Sequence, residues 1–125
     1  MHVALPMGAP DAVAVLTKAA LRVAAALQIA PKDLAEILGI STATISGMRR
    51  HGRPLPADPK GLELTKMLIR IYRALDAITG GDDAVSAAWL RNENSALRGI
   101  PLERMKTIPG LAEVLAYLDQ RRAPL

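Results

Sequence analysis

Apolar residues recur along most of this chain at spacings of three and four, with no sustained alternation, and that periodicity confines it to helices. Val13, Leu16, Ala20, Val23 and Leu27 form one such stripe, and Leu64, Leu68, Ile71, Leu75 and Ile78 form another. Composition agrees: 22 Ala and 18 Leu make up 40 of the 125 residues, both strong helix formers. With no Phe, one Trp and two Tyr, the core must be aliphatic. The expected fold is all-α. A chain of this length buries roughly 65% of its unfolded surface, enough for one modest core. The absence of Cys excludes disulfides, thiolate metal sites and cysteine nucleophiles, and fits a reducing cytosol.

Proline and glycine divide the chain. Residues 1–10 read as a loose arm, and Asp11 is the expected cap of a first helix ending before Pro31. The stripe of that helix is expected to face the core, with a dimer seam as the alternative. A second helix opens at Pro31, the favoured first helical position, and stops at Gly39. Ser41 then caps a third helix reaching about Arg50. Residues 51–61, with Gly52, Pro54, Pro56 and Pro59, read as a loop and as the boundary between an N-terminal region (1–60) and a C-terminal one (61–125), packed together as one compact unit. Beyond it a long helix over 62–78 ends at Gly80-Gly81, and Asp82-Asp83 start a short helix carrying Val85, Ala88 and Trp89. Pro101 opens another short helix, and Pro109-Gly110 the last, whose inward face is Leu111, Val114, Leu115 and Leu118. The tail, residues 121–125, is expected to fray.

The two short helices joined at Gly39-Ile40-Ser41 have the spacing of a helix-turn-helix at about 31–50. Ala35 lets the helices cross, Gly39 makes the tight turn, and Leu34, Leu38, Ile40, Ile45 and Met48 pin the second helix to the first. Thr42, Ala43, Ser46, Gly47 and Arg50 are then left on an outward face, the face that enters a major groove in such motifs. Residues 37–57 hold Arg49, Arg50 and Arg53 and no acid, so +3 of the formal +4 lies in 21 residues. The expected DNA contacts are Lys32, Ser41, Thr42, Ser46, Arg49, Arg50 and Arg53, with the cations on phosphates and base readout left to Thr42, Ser46 and Arg50. Gly47 costs about 1 kcal/mol inside a helix and offers no side chain, which implies modest affinity per subunit, a dimer and a palindromic operator.

Catalytic chemistry has few footholds here. His2 and His51 are the only histidines, no metal-ligand spacing occurs, and there is no phosphate-binding glycine loop after a strand. Asp82-Asp83 is explained by a helix start. The expectation is a non-enzyme without cofactor or metal. The longest stretch without Asp, Glu, Lys or Arg, residues 37–48, is far below the ~20 residues of a membrane span. No signal peptide is apparent, and a cytoplasmic protein is expected.

Residues 61–125 carry nine basic and eight acidic side chains, so charge does not extend a DNA surface into this half. Gly81-Asp82, Trp89-Leu90, Asn94, Leu97, Gly99, Pro101-Leu102, Thr107, Gly110, Val114 and Leu118, in that order, resemble the toxin-binding domain of the Xre/MbcA/ParS antitoxins. The succession of helix-turn-helix, proline-rich loop and long helix is also similar to that family, over roughly residues 30–120. The resemblance implies a type II antitoxin that neutralises a RES-type, NAD-degrading toxin by lying over its active site, and that represses its own operon. It implies a cognate toxin and operator DNA as partners, in a homodimer or larger toxin-antitoxin complex, with no membrane. Members commonly end in a glycine-containing tail, which this chain lacks. From the residues themselves, Trp89, Leu97, Leu102, Leu111, Val114 and Leu118 are expected in the core. Arg91, Asn94, Arg98, Arg104 and Arg121 are the polar candidates for toxin contact. Two other readings fit the sequence: a stand-alone dimeric helix-turn-helix repressor, and a pure interaction module whose helix-turn-helix no longer binds DNA.

Overall fold

A computed structural model describes residues 9–122. Residues 1–8, with most of the expected arm and His2, and residues 123–125 of the tail lie outside the described residues. Among the described residues there are seven helices and no strand: α1 (Ala9–Ala26), α2 (Pro31–Leu38), α3 (Thr42–His51), α4 (Pro59–Thr79), α5 (Asp83–Arg91), α6 (Pro101–Arg104) and α7 (Ile108–Arg122). The long α4 is the axis. It packs against α7 on one side and α1 on the other, with α5 and α2 at its flanks. One continuous apolar cluster runs from Val13 through Leu118, so both halves share a core.

Local sequence accounts for most boundaries. Pro31 and Pro59 occupy first-turn positions where a missing N–H costs nothing, and the Asp58 carboxylate caps α4 by accepting from the Gly61 N–H at 2.9 Å. The loop is therefore shorter than its composition implies, residues 52–58, because the third proline starts a helix. Asp11 is not a cap: α1 begins at Ala9, placing Asp11 in the first turn, where its charge faces the positive helix end. The stripe of α1 faces inward, with Ala20, Val23 and Leu27 buried.

Packing corrects the expected face of α5. Ser86, Ala87 and Leu90 are buried, whereas Val85 is 51% exposed and Trp89 is only half-buried. Small Ser86 and Ala87 allow α5 close to α4, and the hydroxyls of Ser86 and Thr79 pair at 3.0 Å. The last member of the α4 stripe, Ile78, is exposed because the helix outruns the core there. Leu97, Leu102, Leu111, Val114 and Leu118 are core residues, as their spacing implies. Gly110 sits on the Arg104 carbonyl so closely that an added Cβ would lie 1.8 Å from its oxygen. The loop after α3 is pinned by Thr17, whose buried hydroxyl donates to the Val13 carbonyl (2.7 Å) and accepts from the Leu55 N–H (2.8 Å).

Candidate nucleic-acid and partner interfaces

In the helix-turn-helix, α2 ends at Gly39, whose left-handed backbone (φ 70°) turns the chain, and Ser41 starts α3. The Ser41 hydroxyl accepts from the Thr44 N–H at 3.0 Å and pairs with the Thr44 hydroxyl at 2.9 Å. Ala35, Leu34, Leu38, Ile45 and Met48 are buried and Ile40 is half-buried, so the pinning residues act together. This orientation leaves Thr42, Ala43, Arg49 and Arg50 exposed and Ser46 half-buried on one side of α3. Lys32 is exposed at the start of α2.

Gly47 departs from the expected outward face. It is buried, because Gly52 (φ 66°) reverses the chain and lays the Arg53 side chain across it. An added Cβ at Gly47 would meet Arg53 Cδ at 3.2 Å and Nη1 at 3.4 Å.

The acids of the first motif helix are paired with a lysine from the other half of the chain. Lys106 Nζ lies 2.8 Å from Asp33, 3.2 Å from Glu36 and 3.1 Å from Glu103, with its side chain 18% exposed. The hydrogen bond to Asp33 leads the partners that hold the Lys106 ammonium well above the usual lysine range, against an opposing effect of burial. A single ammonium thus faces three carboxylates, so it offsets only part of the negative charge that Asp33 and Glu36 bring to the motif. No sequence signal linked Lys106 to these acids, since the contact exists only once α2 and the α6–α7 turn are packed.

Of the candidate toxin contacts, Arg91, Asn94 and Arg104 are hydrogen-bonded within the fold. Arg91 donates to the carbonyls of Leu27 (3.0 Å), Ala87 (2.7 Å) and Gln28, closing the C-terminal end of α1. Arg104 bonds Glu113 at 2.6 Å, and Arg98 lies 3.7 Å from the same carboxylate while staying largely exposed. The bond from Arg104 is the first cause that holds Glu113 below the usual carboxylate range; Arg98 adds to it and desolvation opposes. Asn94 accepts from the Leu97 N–H at 3.1 Å and pairs with Gly99 through its backbone. Arg121 is exposed, its guanidinium carbon 4.8 Å above the Tyr117 ring. Tyr117 in turn stacks on Trp89, with centroids 6.2 Å apart and planes at 18°. Val85, one turn before Trp89, extends this ridge of α5 and α7 side chains. Its signal was present in the i, i+4 spacings of Val85 with Trp89 and Tyr117 with Arg121, but apolar spacing alone reads as core.

Among the described residues, no group of three or more His, Asp or Glu side chains is placed to hold a metal ion, and no helix is long and apolar enough to cross a membrane. Comparison with curated proteins gives no match. Two protein families do match. Residues 74–123 match the antitoxin Xre/MbcA/ParS C-terminal toxin-binding domain, and residues 6–70, more than half of the 125, match the antitoxin Xre-like helix-turn-helix domain. The second match spans α2, Gly39 and α3, and the first contains the Trp89–Tyr117–Arg121 ridge. With a DNA-binding motif and a toxin-binding domain built on one helical core, the chain belongs to the Xre/MbcA/ParS antitoxins of type II toxin-antitoxin systems.

Proposed function

We propose that this antitoxin neutralises a RES-type toxin, an enzyme that degrades NAD, by covering its active site, and that it represses its own operon by binding operator DNA as a dimer in the cytoplasm. The observation that carries the reading is the division of one small molecule into two unlike surfaces. An acid-free, arginine-bearing helix face lies in residues 1–60, and a half-buried aromatic pair topped by the exposed Arg121 lies in residues 61–125.

At the DNA face, Thr42, Ser46 and Arg50 read base edges, while Lys32, Arg49 and Arg53 hold phosphates. Ser41 orients α3 through its cap and reaches the backbone from the same turn. At the toxin face, the chemistry favours Arg98 and Arg121, whose side chains reach solvent, together with the ridge beneath Arg121. Arg91, Asn94 and Arg104 support that face by fixing the helix ends and turns on which it stands. The choice of a RES-type partner is supported by the Trp89-Leu90, Gly99-x-Pro101-Leu102 and Gly110-x-x-x-Val114-x-x-x-Leu118 motifs within the matched toxin-binding domain.

Cellular NAD measured on expressing the protein of the neighbouring reading frame, with and without this chain, tests the proposal. NAD is expected to collapse with the neighbour alone and to be preserved on co-expression. Growth arrest at normal NAD would overturn the RES assignment, and arrest that this chain does not relieve would overturn inhibition of that protein.

A further inference from the structure

A glycine in the middle of a recognition helix is poorly placed for helix stability, and here it also has no outward access. Gly52 closes α3 in a left-handed conformation, and both its own N–H and that of Arg53 (3.3 Å) point to the Gly47 carbonyl. The side chain follows the backbone: Cδ, Nη1 and Nε of Arg53 lie 3.2, 3.4 and 3.9 Å from where a Gly47 Cβ would stand. Gly47 precedes Arg50 by three positions and follows Ala43 by four, so a guanidinium lying on it stands beside the exposed row of α3. Ala43, with only a methyl group, leaves that side open.

We infer that Gly47 and Arg53 form a latch, in which the missing side chain at Gly47 holds the Arg53 guanidinium against the recognition helix, ready to contact DNA. Gly47 is a positioning residue and acts only through Arg53. A free arginine gives up considerable rotamer freedom on binding a phosphate or a base edge, and one already lying along the helix gives up less. The latch rests on the DNA-binding reading above and states how affinity is obtained without a side chain at position 47.

The test is a set of titrations of the full chain with a duplex spanning the region immediately upstream of its reading frame, repeated over a range of salt concentrations. Gly47→Ala and Gly47→Leu are each made alone and combined with Arg53→Ala, and circular dichroism checks that each variant is folded. Gly47→Ala is expected to weaken binding by about threefold and Gly47→Leu by about tenfold, the size of a contact-level coupling. Gly47→Leu and Arg53→Ala should both make the salt dependence shallower by about one phosphate contact. In the Arg53→Ala background neither Gly47 change should weaken binding further. Unaltered affinity in the Gly47 variants, or equal losses in both backgrounds, would overturn the latch while leaving DNA binding intact. Failure of the unsubstituted chain to bind this duplex would overturn the DNA reading and the latch with it.

Discussion

Arginine has three different physical roles in this molecule, and its neighbours decide which. Arg91 donates to the carbonyls of Leu27 and Gln28, which the end of α1 leaves without helical partners, so Arg91→Ala is expected to lower stability by about 1–2 kcal/mol. A melting-point drop of roughly 5 °C in a thermal scan would register this, whereas Arg98→Ala, from an exposed pair, should move it by little. Glu113 is held between Arg98 and Arg104 with its carboxyl pKa below the ordinary value of 4.5. Its ionised form is favoured by folding, so its contribution is present above about pH 4.5 and lost as pH falls through the lower folded value. Glu113→Gln should therefore be less stable than the unsubstituted chain at neutral pH, and the two should converge in acid, as urea melts across pH will register. Arg121, on the Tyr117 ring, and Arg53, on Gly47, instead keep their charge at the surface.

Three helices, α3, α4 and α5, open on a side-chain cap, and α2 and α6 on a proline in the first turn, which is why so many boundaries are legible in the sequence. Ser41, Asp58 and Asp82 each accept from a backbone N–H of the first turn they open. Ser41→Ala should cost about 1 kcal/mol, seen as a lower urea midpoint with an unchanged slope. The pins of the helix-turn-helix, the core faces of α1 and α7 and the order of the elements follow from spacing and punctuation alone. What sequence could not supply were contacts made between elements distant along the chain. Trp89 carries a large apolar ring at a helical spacing, and with Ser86 and Ala87 facing inward that ring is left half-buried at the rim of the core, stacked on Tyr117. Gly47 lies on the outward arc of an ideal helix, and only the reversal at Gly52 covers it. Thr17 reads as one polar residue in an apolar helix, yet it fastens the loop at Leu55.

One core joins the two interfaces, and α4 is common to both sides of it. Lys106 strengthens the join with a charge cluster that ties α2 to the turn before α7 and offsets part of the negative charge of Asp33 and Glu36. Because folding raises the Lys106 pKa, protonation of this lysine contributes stability that is present at neutral pH and, on the alkaline side, is lost as pH climbs from about 10.5 through the still higher folded value. Two surfaces on so small a body remain chemically separable, since Arg50 and Arg121 are exposed side chains on opposite halves of the sequence. The most direct test pairs Arg50→Ala with Arg121→Glu and measures, for each purified chain, binding to the upstream duplex and inhibition of the neighbouring frame's protein. Arg50→Ala is expected to lose specific DNA binding and keep full inhibition, and Arg121→Glu to keep DNA binding and lose inhibition. Loss of both activities in either folded variant, or of neither in both, would contradict an antitoxin built from two distinct surfaces on one core.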